Sequence, residues 1–303
     1  MRIAWVFNLD ADEELARPDS CSKSAGFLRR KAEMADVLGA HVAPGDVVLD
    51  ADRAVPETGS EFLGQAWCPT PSALRLLRQA QVRLPAAPSF KILQTVNHRS
   101  FAATFSASLP GAAFTRSIEE MRSCLESKRP FDQWLCKRAH GFSGRGHRRI
   151  RRSEFLDGSL HVNEQTWIER SFTESDGLQV EPRVERVEDF GLHGWIGSVD
   201  AGPRVLRGRL TVQQCDEWGR WIKTRPARED DLDATAQHSL FDLFDRVAAR
   251  LHGEGYFGPF GIDAFTWKDS GEIRFHPLSE INARYSMGWF TGMGHVDRGE
   301  LFR

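Results

Sequence analysis

Leu240, Leu243, Phe244, Val247 and Leu251 recur at helical spacing, and Gly253 suits the C-terminus of the helix they predict. Just beyond, the period shortens. Tyr256 to Asp263 reads as a strand, Ser270-Gly271 as a turn, and Arg274 to Glu280 as a returning strand, so a β-hairpin is expected. Side chains on a strand alternate faces, which places Glu280, Asn282 and Arg284 on one side, with Asp263 brought alongside. Further upstream, Gln133 to Lys137 is a short apolar run ending in a lysine. Leu178 to Val184 and Glu188 to Leu192 read as strands, and Ile196 to Leu210, with Gly197, Gly202 and Gly208, as further strand and turn. Ser117-Ile118-Glu119-Glu120 is a capping box, Ser117 at the N-cap and Glu120 at N3, opening a helix through Met121 and Leu125 that should pack on a neighbouring sheet.

In the first ninety residues, Ile3 to Leu9 and Asp46 to Asp50 look like strands of a small parallel sheet. Leu28 to Leu38 and Ser72 to Val82 look like helices, and Trp67 to Pro71 a loop that places Thr70 or Ser72 near an N-cap. Pro85-Ala86-Ala87-Pro88 is the best linker candidate. The chain contains no internal repeat and no low-complexity segment.

Composition narrows the class. A length of 303 residues with 41% hydrophobic content and net charge −2 predicts a soluble globular chain with a large core. Near-neutral charge argues against broad nucleic-acid binding, although Lys137 to Arg152 is locally basic. Cys21, Cys68, Cys124, Cys136 and Cys215 are scattered without a Cys-x-x-Cys pair, so neither a disulfide framework nor structural zinc is expected, and a reducing cytoplasm is the natural home. No apolar run is long enough to span a membrane, and the N-terminus turns acidic too soon for a signal peptide.

The chemistry gathers in the hairpin. Asp263, Glu280 and Asn282 offer two carboxylates and an amide oxygen, hard ligands suited to Mg²⁺, which keeps waters and bridges to substrate phosphates. Arg284 can stabilise charge on a transferred phosphate or acyl group. Lys137 is followed by His140-Gly141-Phe142-Ser143-Gly144-Arg145-Gly146, a glycine-rich turn whose backbone N–H groups can approach phosphate oxygens. No Gly-Lys-Ser/Thr ending makes this a Walker loop, and no Gly-x-Gly-x-x-Gly supports a dinucleotide fold. Asp10, Asp12, Glu13 and Glu14 read as a solvated acidic loop after the first strand, with attraction of a cationic substrate as the other reading.

Taken in order, these motifs resemble the ATP-grasp superfamily of carboxylate–amine ligases, over residues of about 95 to 290. The family ends its core with a metal-binding acid, then Glu-x-Asn, and in the biotin carboxylase branch a catalytic Arg. Asp263, Glu280 and Asn282 match as metal ligands, and Arg284 as the catalytic residue. The family's strand–Lys–Gly-rich-loop–strand flap is matched by Lys137, Gly141, Ser143, Gly144 and Gly146. Its adenine-hinge Glu is matched by Glu181, with Glu169 in Trp167 to Phe172 a second candidate; the acidic pair Glu188-Asp189 and the apolar strand following Glu181 favour the later one. Arg99 stands where the family often carries a phosphate-binding lysine, a departure that keeps the charge and changes its geometry.

The resemblance implies an α+β ATP-grasp fold, with residues 1–90 as a pre-grasp α/β domain and 91–303 as the ATP-grasp domain, its flap at about 115–182 and its metal-binding part at about 183–303. It implies ATP and Mg²⁺ (or Mn²⁺) as cofactors, small-molecule carboxylate and amine substrates, and ADP release through an acyl phosphate. Dimers are common in the family. A phosphotransferase on the same fold and a catalytically inactive nucleotide-binding protein are the alternative readings.

Overall fold

The structure, a computed structural model, describes residues 1–18, 25–50, 58–105, 109–126, 131–141, 146–198, 204–216 and 221–302. The N-terminal part runs β1 (Arg2–Val6), α1 (Ala11–Ala16), α2 (Ala25–Gly39), β2 (Val47–Leu49), β3 (Phe62–Ala66) and α3 (Pro71–Gln79). Its sheet has the order β2-β1-β3, with both pairs parallel. Strands buried on both faces read as near-continuous apolar runs. On one face Ala4, Val6, Phe62 and Ala66 pack on Ala73, Leu76 and Leu77 of α3. On the other, Ile3, Trp5 and Phe7 meet Met34 and Leu38 of α2 together with Tyr285, Trp289 and Met293 from the C-terminal end. Strand β3, buried along its whole length, was not expected, because Phe-Leu-Gly-Gln-Ala has no alternation to mark it. Thr70 is the N-cap of α3 and Pro71 its first residue, where a missing N–H costs nothing.

After residues 84–89, which form neither helix nor strand, come α4 (Phe90–Asn97), α5 (Arg99–Ala103), β4 (Ala113–Thr115), α6 (Ile118–Glu126), β5 (Gln133–Arg138), β6 (His147–Arg151), α7 (Arg152–Asp157), α8 (Val162–Glu174) and β7 (Leu178–Pro182). The four strands form an antiparallel sheet in the order β4-β7-β5-β6. Met121 and Leu125 of α6 bury against Trp134, Cys136, Ile150 and Val180, as the capping-box helix predicts. Ser117 Oγ accepts from Glu120 N at 3.1 Å, while the Glu120 carboxylate reaches back one residue further than expected, to Arg116 N at 2.7 Å.

The C-terminal part holds β8 (Glu185–Ile196), β9 (Val205–Cys215), β10 (Trp221–Pro226), α9 (Ala234–Gly253), β11 (Gly258–Asp269), β12 (Glu272–Asn282), α10 (Trp289–Met293) and α11 (Arg298–Leu301). Its sheet is antiparallel throughout, in the order β10-β9-β8-β11-β12. All five apolar positions that predicted α9 are buried against one face, formed by Phe190, Leu192, Phe260, Ile262 and Ile281. Phe244 and Phe260 stack at 4.6 Å, and the missing side chain of Gly194 makes the room: a Cβ there would lie 2.4 Å from the Phe244 ring. The helix ends at Gly253, as its spacing predicts, and a left-handed glycine, Gly255 at φ 81°, follows two residues on. The hairpin turn falls at Ser270-Gly271, both at positive φ as a tight right-twisted hairpin demands.

Candidate active site

The hairpin register sets Asp263 directly across from Glu280 and Gly261 across from Asn282. Alternation then gathers Asp263, Glu280 and Asn282 on the face of the sheet away from α9, joined by Gln213 of β9 and His193 of β8. A bulge follows Asp263, a device common beside active sites because it re-aims neighbouring side chains. The two oxygens of Asp263 each accept an amide N–H, from Gln213 Nε2 at 2.8 Å and Asn282 Nδ2 at 2.9 Å. Burial first, and then the facing Glu280, push the Asp263 carboxyl up to about 7. With the Asn282 nitrogen turned to Asp263, its carbonyl oxygen is the atom with ligand character.

This donor set fits a hard divalent cation. Two carboxylates forced together in a partly dry site raise each other's cost of ionisation, and a cation between them relieves it. No group of three or more His, Cys, Asp or Glu that could hold a metal occurs among the described residues. The available ligands are thus two carboxylates and an amide, a set that water or phosphate oxygens complete.

Arg99 and Glu280 form an ion pair at 3.1 Å, and Arg99 Nε donates to Arg138 O at 3.0 Å, so Arg99 bridges the hairpin to β5. Between the two antiparallel sheets lies a cleft open to solvent and lined in part by Arg99, Gln179, Glu181, His276, Leu278 and Glu280. Glu181 sits in its wall, while Glu169 lies on the exposed face of α8, bonded to Gln165. Lys137 pairs with Glu181 at 2.5 Å, both side chains less than a tenth exposed. Burial pushes the Glu181 carboxyl up, but Lys137 and Arg186 outweigh it and hold it below the usual range. Gly141 and Gly146 bracket the turn after β5, with Gly146 at φ 76° and its carbonyl accepting from Arg138 N at 2.9 Å. Ser143, Gly144 and Arg145 lie outside the described residues.

Arg284 departs from the expected arrangement. Strand β12 ends at Asn282, so strand alternation does not aim Arg284. It is held instead by Asp12 of α1, Nη2 to Oδ2 at 2.9 Å, and by Tyr285 O at 3.2 Å, with both side chains of the ion pair less than a tenth exposed. Asp12 is therefore a buried partner and not part of a solvated acidic loop. A pairing across 272 residues leaves no local trace in sequence.

Comparison with solved structures follows this geometry. The D-cycloserine synthetase DcsG is 12% identical at a TM-score of 0.53, over 96% of this chain and 95% of that one. The D-alanyl-alanine synthetase A from Vibrio cholerae is 11% identical at 0.53, over 93% and 88%. The N5-carboxyaminoimidazole synthetase from Staphylococcus aureus, complexed with ADP, is 13% identical at 0.52, over 94% and 70%. The chain has the ATP-grasp fold. No protein-family model matches the sequence, and no curated protein is similar to it in sequence.

Around this site the structure adds residues that sequence reasoning missed. Gln213 holds Asp263 from β9. Asn97, at the end of α4, takes Ala283 N at 2.9 Å and gives to Ala283 O at 3.3 Å, clamping the chain just past Asn282. An Asn at a helix end was visible in sequence, but its partner was not. No helix among the described residues is long and apolar enough to cross a membrane.

Proposed function

We propose that this chain is an ATP- and Mg²⁺-dependent ligase that activates a small-molecule carboxylate as an acyl phosphate and joins it to an amine, releasing ADP and phosphate. The observation that carries the reading is the cross-strand pair Asp263–Glu280 at the edge of a cleft that also holds Arg99 and Glu181. Asp263, Glu280 and Asn282 are the residues to hold Mg²⁺ (or Mn²⁺), which when bound neutralises phosphate charge. The adenosine end of ATP belongs against Gln179, Glu181 and Leu278, and its phosphates toward Arg99 and the Gly141–Gly146 turn, Ser143 and Gly144 included.

In the first step a carboxylate oxygen attacks the γ-phosphorus and ADP leaves. In the second, an amine nitrogen attacks the acyl carbon, and phosphate leaves as the amide forms. Arg99 and Lys137 supply positive charge to the phosphates, exchanging Glu280 and Glu181 for them. Arg284, oriented by Asp12, donates to the oxyanion that develops at the acyl carbon. Closure of the flap, about 115–182, over the cleft excludes the water that would hydrolyse the acyl phosphate. Residues 1–90 serve as the pre-grasp domain ahead of a grasp domain at 91–303, and the site they frame takes small molecules.

The test is thermal unfolding with and without Mg-ATP, on wild type and on Glu280→Ala/Asn282→Ala. Nucleotide at about 100 times its dissociation constant stabilises a binding protein by roughly 2.7 kcal/mol. A magnesium-dependent shift that the double variant loses supports the site; no shift in wild type sinks the reading. Amine-dependent ADP release then separates a ligase from a phosphotransferase.

A further inference from the structure

The flap and the N-terminal part have separate apolar cores. Met121, Leu125, Trp134, Ile150, Ile168 and Val180 bury one another in a cluster whose members all come from the flap. The clusters on the two faces of the N-terminal sheet contain no flap residue. The described contacts that join the two parts are therefore polar. A polar join parts in water at small cost, and relative motion is the rule for parts joined in that way.

The join lies at the C-terminal end of α8. Glu174, the last residue of that helix, accepts from Arg17 Nη2 at 2.6 Å, a pairing across 157 residues. Two residues further on, Asp176 Oδ2 lies 3.4 Å from Nε2 of His98, the N-cap residue of α5. Arg170, one turn earlier in α8, also donates to Glu174, at 2.8 Å. The carboxylate is thus held in place before Arg17 reaches it, which lowers the ordering cost that makes most exposed ion pairs worth little.

On the other side of the join, Arg17 directly follows α1, and α1 is firmly anchored. Ser72 N donates to Glu14 at 3.0 Å and Gln94 Nε2 to Leu15 O at 2.9 Å, tying the helix to α3 and α4. The same helix carries Asp12, which holds Arg284. Asp12 and Arg17 stand about 7–8 Å apart along the helix axis. One short helix therefore carries both the partner of Arg284 and, at its end, the partner of the flap.

We propose that Arg17 and Glu174 are positioning residues, a clasp that docks the flap against α1 and so sets its closed position relative to Arg284. Opening breaks this pair and leaves both apolar cores intact. Closing re-forms it against the helix that already orients Arg284. That the docked flap covers a reacting nucleotide rests on the ligase reading; that the clasp docks the flap does not.

The experiment uses full-length protein carrying nitroxide labels on genetically encoded p-acetylphenylalanine at Val37 of α2 and Val162 of α8, both exposed, with their separation read by double electron–electron resonance. Val162 is the first residue of α8, about 18 Å from Glu174, so rotation about the clasp is amplified there. Arg17→Ala and Glu174→Ala should each lower the ratio of short to long separations by about two- to fivefold, the range for a partly exposed ion pair. The double variant should do no more than either single one, and Arg17→Lys should restore most of the short separations. Arg151→Ala, which removes a pair internal to the flap, should match wild type. The unfolding midpoint should not follow the separations, because both cores survive opening. Separations in Arg17→Ala that match wild type overturn the proposal, and a midpoint that falls without them marks a packing role and does the same. Full additivity in the double variant, or an equal response in Arg151→Ala, also overturns it. Each measurement is repeated with Mg-ADP. If Mg-ADP changes nothing in wild type while Arg17→Ala still lengthens the separation, the ligase reading fails and the clasp stands.

Discussion

The two faces of the C-terminal sheet are made by the same strands and differ in almost everything else. Toward α9, Phe190, Leu192, Phe260 and Ile262 meet Leu240, Phe244 and Val247, all buried in one cluster. On the opposite face the same strands carry Gln213, His193, Asp263, Glu280 and Asn282, with Gly191 and Gly261 interleaved. There a carboxyl is pushed up to about 7, and a buried imidazole has no partner. Because the side-chain period of a strand is two, a single sheet can hold a stabilising face and a chemically costly face within one residue of each other. The first supplies the burial that lets the second keep strained electrostatics.

Breaking the apolar face should give the largest effect. Phe244→Ala removes one partner of the Phe244–Phe260 stack and should cost about 3–5 kcal/mol of unfolding free energy, measured by denaturant titration. A loss under about 1 kcal/mol would mean that α9 is not what holds the sheet. On the polar face, Arg284→Ala should keep Mg-ATP binding and lower turnover by about 10²–10³, on the order of 3–4 kcal/mol in the barrier. Loss of nucleotide affinity instead would move Arg284 into the binding set. Asp12→Asn, which leaves Arg284 without its charged partner, should follow the same pattern to a smaller degree.

Next in size is the pH dependence of the nucleotide-induced stabilisation of roughly 2.7 kcal/mol. Asp263 titrates near 7 in the folded protein without metal, so below that pH a proton competes with the cation for the carboxylate. The Mg-ATP shift in unfolding temperature should therefore shrink between pH 8 and pH 6 and recover with added Mg²⁺. A shift that does not change over that range removes Asp263 from the metal set.

The smallest effect sharpens the comparison within the polar face. His193 is pushed down to about 4 in the fold, against an ordinary 6.5. As pH falls, the unfolded chain takes up its proton first, so stability present above 6.5 drains away toward 4. The slope from this one group is at most about 1.4 kcal/mol per pH unit. His193→Asn should flatten the acid limb of a stability-against-pH curve by that amount. An unchanged limb would show that the imidazole is solvated or partnered in solution.

Much of this was legible beforehand, for reasons that are local. The α9 stripe, the Ser270-Gly271 turn and the capping box are patterns of period and turn chemistry, written within a few residues of where they act. Asp263, Glu280 and Asn282 could be placed on one face because the two-residue turn and strand alternation fix which positions share a face; that Asp263 sits directly across from Glu280 depends on the register shift between Asp263 and Phe265, which the sequence does not mark. Glu181 could be ranked over Glu169 only by what followed it. In the structure Glu181 lines the cleft and Glu169 lies exposed on α8. Strand β3 went unread because full burial erases alternation, whereas the end of α9 fell at Gly253 as its spacing predicts.

By itself, then, the sequence determined which segments are helices and hairpins and which carboxylate and amide side chains share a strand face, since those follow from spacing and backbone sterics. Tertiary structure alone decided that Arg284 answers to Asp12, that Gln213 and Asn97 brace the carboxylates, and that His193 lies enclosed by glycines beneath α10. Each of these joins residues far apart in the chain, and which distant groups meet depends on how sheets and helices stack, a sum over many weak contacts that no short window of sequence contains.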